Sequence, residues 1–213
     1  MGEVQTKISG AVRRKYNVLS FLYDHIWPGY IKKTIGSAIE PIRLTGSESL
    51  LDIGCGTGEL ERILVSKYQN LHIVGLDISD DMLELARKKL LQYPKIILKR
   101  GDFLNIDLAE NSFDAAFSIS NLHYFPNPSA LFEKTHRLLK KNGKFVIIDW
   151  NRNSFQGKLY NGYMNLADPS FVKAYIIEEV VPLLEKAGFQ FEKVDYFKVG
   201  IRWRMMRIVS KKI

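Results

Sequence analysis

The stretch "LDIGCGTGEL" (51–60) holds the densest set of residues that could do chemistry. Gly54, Gly56 and Gly58 stand at alternate positions, straight after an apolar run that contains Asp52. Glycine permits positive φ and close approach of backbone to a ligand. The G-x-G-x-G spacing departs from the G-x-G-x-x-G of dinucleotide sites, and no lysine follows as a Walker loop requires. A carboxylate before the loop is awkward for a diphosphate and suits a ligand that carries positive charge. Asp77, in "VGLDIS", lies nineteen residues after Gly58. A carboxylate there can accept from both ribose hydroxyls, although a lone aspartate in that place would as readily cap a helix. Asp102, in "RGDF", could accept from an adenine amino group or close a turn.

His123, in "NLHYF", is the candidate catalytic base, with packing within a loop as its alternative. Asp149 and Trp150 either line an acceptor pocket or cap an element beside a core aromatic. His25, His72 and His136 read as structural. No His/Cys/Asp cluster has ligand spacing, so no metal is expected. Cys55, inside the glycine loop, is expected to face core or ligand, which argues against a cysteine nucleophile. The D/N-P-P-[YF] motif of amino-group methylation on nucleic acid bases is absent, with "SISN" in its place.

These residues need a frame that brings them together. "SLLDIGC", "HIVGLDIS", "KIILKRGD", "FDAAFSIS" and "KFVIIDW" read as strands. Between them lie helices over "ELERILVSKY", "DDMLELARKKLLQY" and "PSALFEKTHRLLKK". Ser79 or Asp80 caps the second of these, and Asn142-Gly143 stops the third. Residues 11–40 read as helical, with a break at "WPGY". Residues 151–175 read as polar and irregular with room for a short helix, "IIEEVVPLLEKAG" as a helix, and the last two strands as a hairpin around Gly200. Strands alternating with helices imply a parallel sheet covered on both faces, with its ligand beyond the strands' carboxyl ends.

In succession, "LLDIGCGTGEL", "VGLDIS-x-x-ML-x-x-AR", "GD", "FDAAFSISNLHYF" and "LKKNGKFVIIDW" resemble the motifs of class I S-adenosylmethionine-dependent methyltransferases. The likeness is closest to the small-molecule branch of the ubiquinone/menaquinone-biosynthesis type. It implies an α/β, Rossmann-like three-layer sandwich: a mostly parallel seven-stranded sheet, an antiparallel C-terminal hairpin and an N-terminal helical lid. It implies S-adenosylmethionine as cofactor. Asp52 and the Gly54, Cys55, Gly56 and Gly58 loop would hold the methionine moiety, and Asp77 the ribose. Ile78 and Met82 would pack on the adenine, Asp102 and Phe103 would hold its edge, and Ser118 would meet the methionine end by its backbone. Tyr16 and Tyr23, in the aromatic segment "KYNVLSFLYDHIWPGY", either close over the cofactor as part of the lid or pack as core.

The 213 residues read as one domain, with a lid over 1–45, a cofactor-binding core over 46–150 and an acceptor-side region over 151–213. The start lacks the apolar core of a signal peptide and one cysteine cannot form an internal disulfide, so the expected setting is cytoplasmic. A formal charge of +8 spread along the chain reads as solvated surface, with peripheral contact to an anionic membrane as its alternative. The expected partner is a small-molecule acceptor, quinone-like or lipid-like in chemistry, rather than nucleic acid; the oligomeric state is left open. Rival readings are a non-catalytic S-adenosylmethionine-binding subunit and an NAD-dependent oxidoreductase, which the glycine spacing and Asp52 disfavour.

Overall fold

The computed structural model describes residues 3–201 and 203–213, the side chains of residues 3, 19 and 21–23 excepted. Seven strands form one sheet: β1 (Ser49–Ile53), β2 (His72–Asp77), β3 (Ile96–Arg100), β4 (Phe113–Ile119), β5 (Leu139–Trp150), β6 (Phe189–Val199) and β7 (Trp203–Lys212). Their order is β3-β2-β1-β4-β5-β7-β6. The first five are parallel, and β7 runs antiparallel between β5 and β6. The chain winds outward from β1 to β3 and then crosses to β4 on β1's other side. That reversal opens a crevice at the carboxyl ends of β1 and β4, where open α/β sheets bind ligands.

Helices α1 (Glu3–Ile26) and α2 (Pro28–Ile39) come first, then α3 (Glu59–Val65), α4 (Asp80–Leu90), α5 (Pro128–Leu138), α6 (Phe155–Ala167) and α7 (Ile177–Lys186). On one face of the sheet Leu51, Ile53, Phe145 and Ile147 pack against Phe132 of α5 and Val180 and Leu184 of α7. On the other, Leu50, Ile73, Phe117 and Ile148 pack against Ile35 of α2, Leu64 of α3 and Ala86 of α4. The central strands are buried on both faces, which is why they read as continuous apolar runs. Ala115 and Ala116 of β4 are buried opposite Leu50 and Leu51 of β1.

Three boundaries differ from the sequence reading. The first helix begins at Glu3 and breaks at Trp27, with Pro28 opening α2. Helix α5 ends at Leu138, short of Asn142-Gly143. Asn142, at φ 65°, instead forms a turn inside β5, and β5's register against β4 shifts there from Phe113↔Leu139 to Ala115↔Lys144. Residues 151–175 hold a 13-residue helix, α6, whose start is capped by Ser154 accepting from Gly157 N at 3.0 Å.

Helix α1 lies apart from both cores. Ser20 is its only buried residue among those described. Polar bonds hold it down: Ser9 Oγ donates to Asp102 at 2.6 Å, Ser79 Oγ to Asn17 at 2.6 Å and Thr57 Oγ1 to Asp24 at 2.7 Å. Lys15 Nζ donates to Asp168 at 2.5 Å and to Tyr124 Oη at 2.9 Å.

Candidate functional site

The turn after β1 takes Gly54, Gly56 and Gly58 to φ of 83°, 54° and 77°, a region that disfavours other residues. The N–H groups of Gly54 and Cys55 both donate to Leu76 O at 2.8 Å, which pins the turn to the end of β2. The three glycines have different reasons. A Cβ on Gly58 would lie 2.9 Å from Leu90 Cδ1 and 3.1 Å from Ala86 Cβ, so its smallness lets α3 approach α4. A Cβ on Gly54 would meet Asn121 at 2.9 Å, and Asn121 is fixed there by donating to Ile53 O at 2.9 Å. A Cβ on Gly56 would meet nothing within 4 Å. Gly56 faces open space, as a backbone that touches a ligand must.

Asp77 ties the turn to α4. Its Oδ2 accepts from Gly56 N at 2.9 Å and its Oδ1 from Ser79 N at 2.8 Å. Ser79 Oγ caps α4 by accepting from Met82 N at 3.2 Å. Asp102 accepts from Leu104 N at 2.9 Å through Oδ1 and from Ser9 of α1 through Oδ2.

Two cavities meet at the glycine turn. The first, of about 100 Å³, is walled by Gly56, Asp77, Ile78, Met82, Asp102 and Phe103, and α1 closes it with Ile8, Val12 and Tyr16. The second, of about 70 Å³, lies toward α2 between Tyr30, Thr34, Asp52, Cys55 and Thr57. Gly54, Gly56, Ile119 and Ser120 border both. Beneath the turn, α3 sends Glu61 inward. Its carboxyl fills the space that a side chain at Gly75 would need, since a Cβ there would lie 2.7 Å from Oε1. Among the described residues no donor reaches Asp52 Oδ1 or either Glu61 oxygen, and both residues are buried.

Burial, then the charges of Glu61 and Asp77, pushes the Asp52 carboxyl well above the usual carboxylate range. Burial raises Glu61 to about 7. Two ionised carboxyls can only accept hydrogen bonds, so a proton held by the pair is what satisfies them near neutral pH. Burial also raises Asp77, against the N–H bonds that favour its ionised form. Burial and these three acids raise the Cys55 thiol, which keeps it protonated and unreactive. A cationic ligand at the turn would favour the ionised forms of these acids.

Residues 51–147 match the family described as Methyltransferase domain. The demethylmenaquinone methyltransferase of Thermotoga maritima is 28% identical over 207 residues, covering 86% of each chain. The 2-methyl-6-phytyl-1,4-hydroquinone methyltransferase 1 of Oryza sativa, a chloroplast protein, is 28% identical over 88% of this chain and 55% of its own. An S-adenosylmethionine-dependent methyltransferase from Mesorhizobium loti shares the fold with a TM-score of 0.70, at 21% identity, over 85% of this chain and all of its own. Residues 51–147 thus carry a methyltransferase domain, and the chain is similar to quinone-biosynthesis methyltransferases along most of its length.

Of the methyltransferase's expected site residues, the structure brings Gly54, Gly56, Asp77, Ile78, Met82, Asp102 and Phe103 to the first cavity, and Asp52 and Cys55 to the second. Gly58 borders neither and packs helices. Ser118 is buried and borders neither cavity; the next three residues, Ile119, Ser120 and Asn121, reach the space instead. The chain turns there because Ser120 adopts φ 56°, held by its N–H on Ile148 O at 2.7 Å and by a 2.6 Å hydrogen bond between its hydroxyl and Tyr30 Oη. The Tyr23 side chain lies outside the described residues.

His123, expected either as a base or as a packing residue of its loop, is buried beside Trp150 and Asp149. Its ring is 1% exposed, stacks on Trp150 at 4.2 Å and bonds through Nδ1 to Asp149 at 2.7 Å. Neither cavity reaches it. Its neighbour Tyr124 borders the first cavity and shares a 2.9 Å hydrogen bond with Tyr16 of α1. Sequence reasoning missed Glu61, because a helix acid near an N-terminus reads as a partner for the helix dipole. It also missed Ser120, whose backbone conformation carries no sequence signal, and Tyr30, whose role depends on where α2 docks.

Proposed function

We propose that the chain transfers a methyl group from S-adenosylmethionine to a small quinol-like aromatic acceptor with a lipid-like tail. The nucleoside half of the cofactor would lie in the first cavity and its methionine half in the second. One observation carries this reading: a glycine turn open at Gly56 separates two cavities and lies over the unpartnered buried oxygens of Asp52 and Glu61. The residues fit the group. Asp77 keeps a free lone pair on each oxygen beyond its N–H bonds and can accept from ribose hydroxyls. Asp102 offers an acceptor for the adenine amino group, and Ile78, Met82 and Phe103 offer apolar walls. Asp52 and Glu61 offer charge opposite a cationic methionine end.

When bound, the cofactor supplies an electrophilic methyl and its own leaving group. The chain therefore needs to align the acceptor and exclude water, with a base required only if the acceptor must lose a proton. Helix α1 serves as the lid. A cavity of about 100 Å³ is well below the roughly 300–1,000 Å³ of ligand sites, so α1 moves outward to admit the cofactor, and its polar contacts to Asp102, Ser79 and Thr57 break and reform. The whole is read as one domain in a reducing, cytoplasmic setting, which the single buried, protonated cysteine supports.

The acceptor class rests on relatives named for demethylmenaquinone and for a phytyl hydroquinone, and on the aromatic group of Tyr30, Trp150 and Trp203 behind Ser120. The test is transfer of isotopically labelled methyl to reduced naphthoquinones and benzoquinones with isoprenoid tails, beside amine and carboxylate acceptors. Labelling of the quinols alone supports the reading. S-adenosylhomocysteine binding without transfer to any acceptor would favour the non-catalytic alternative.

A further inference from the structure

Helix α6 packs inward and is also apolar outward. On its inner side the Tyr160 ring meets Trp150 at 5.1 Å and Trp203 at 4.9 Å, edge to face, and Met164 is buried with Phe171. On its outer side Phe155, Leu159, Tyr163 and Leu166 recur at helical spacing and are 76, 61, 63 and 91% exposed. The helix has one charged residue, Lys158, and no acid. Ile201, 90% exposed, lies two residues before Trp203, on which Tyr160 packs. Apolar side chains scattered singly over a surface need no explanation, but a contiguous row does.

The row runs toward the site. Leu166 is two residues before Asp168, whose carboxylate holds Lys15 of α1, and the next residue of α1, Tyr16, borders the first cavity. Its electrostatic setting is basic: Lys158 on the helix is exposed, the helix holds no acid, and the chain carries +8. Two such chains repel one another, whereas an anionic surface attracts each.

We propose that α6 is an interfacial helix that docks the methyltransferase on an anionic lipid bilayer, with Phe155, Leu159, Tyr163, Leu166 and Ile201 entering the headgroup–acyl boundary. The helix lies in the plane of the membrane and does not cross it, as amphipathic anchors with a basic flank do; among the described residues no helix is long and apolar enough to span one. Docking would set the cavity mouth near the lipid, so that a tailed acceptor could reach the site without crossing water. This last step rests on the acceptor class proposed above; the docking itself does not.

The experiment is co-sedimentation of the full chain with vesicles of phosphatidylcholine alone and with about one third phosphatidylglycerol. Wild type is expected to pellet with the anionic vesicles, far less with the neutral ones, and less at high salt. Leu159→Glu with Leu166→Glu should lower the partition coefficient at least about tenfold, and Ile201→Glu should lower it separately. These side chains are exposed, so melting temperature and S-adenosylhomocysteine affinity should hold. Wild type left in the supernatant with both vesicle types overturns the proposal. Equal pelleting of the double variant does so too, as does a lipid-free dimer that the double variant converts to monomer, because a second copy would then cover α6. Vesicle binding without turnover of a tailed quinol would overturn the acceptor class and leave the docking standing.

Discussion

Glu61→Gln tests the buried acid pair beneath the glycine turn. Glu61 is fully buried, and burial raises its carboxyl from 4.5 to about 7. For an acid the sign is as follows. Below about pH 4.5 the carboxyl is protonated in both folded and unfolded chains, and burial carries no charge cost. Between 4.5 and 7 the unfolded chain loses its proton while the folded chain keeps it, so stability falls as pH rises. Above 7 the loss is complete. At about 1.4 kcal/mol per pH unit, the shift corresponds to roughly 3 kcal/mol, part of which belongs to Asp52, since the two acids share their environment. Glutamine has nearly the same shape, carries no charge and can donate to the unpartnered Asp52 Oδ1. The variant should therefore be more stable than wild type at pH 8 by about 1–3 kcal/mol, and the two should converge near pH 5. Urea unfolding of both proteins at pH 5, 6.5 and 8 measures this. S-adenosylmethionine adds a second readout: if its positive charge draws the proton off the pair, wild-type affinity weakens as pH falls below 7, and the variant's profile is flatter. Parallel stability profiles for the two proteins would refute the placement of an uncompensated carboxyl at Glu61.

Asp77→Ala should lose both ligand and structure, because the carboxylate already holds Gly56 N and Ser79 N. S-adenosylhomocysteine affinity should fall tenfold to several hundredfold and stability by roughly 1–3 kcal/mol, read by calorimetry and urea unfolding. The glycines should separate: Gly56→Val abolishes cofactor binding with a modest change in melting, whereas Gly58→Val lowers melting markedly because its side chain strikes Leu90 and Ala86. Deleting residues 1–26 should leave a folded core that binds cofactor weakly and does not turn over, since α1 buries no apolar side chain among those described; full activity of the truncated chain would remove its role as lid. His123→Gln should lower the melting temperature by unstacking Trp150 and unpairing Asp149, while the pH dependence of kcat keeps its shape; loss of the low-pH limb of that profile, where a base becomes protonated, would assign His123 as a base.

The sequence by itself determined the sheet, its winding and the cofactor turn, because these rest on local rules. Buried parallel strands must be short apolar runs, and positive φ at a strand end calls for glycine. A carboxylate at the end of β2 follows at the fixed interval set by one helix and one strand. The antiparallel hairpin at the edge was legible for the same reason, from alternation around Gly200. Tertiary structure alone decided the rest. Glu61 and Glu59 are both acids in the first turn of α3, yet the inward one lies beneath Gly75 and Asp52 while the other binds Arg62 and Lys89 at the surface. Asn142-Gly143 has the chemistry of a helix stop, but β4 recruits the chain from Leu139 and moves the turn inside β5. In the sequence His123 reads either as a base or as a packing residue, and only the fold shows it enclosed by Asp149 and Trp150 from the end of β5. In each case the residue's meaning depends on partners distant in sequence, and pairing and burial against them outweigh the fraction of a kcal/mol to about 1 kcal/mol by which local preferences choose.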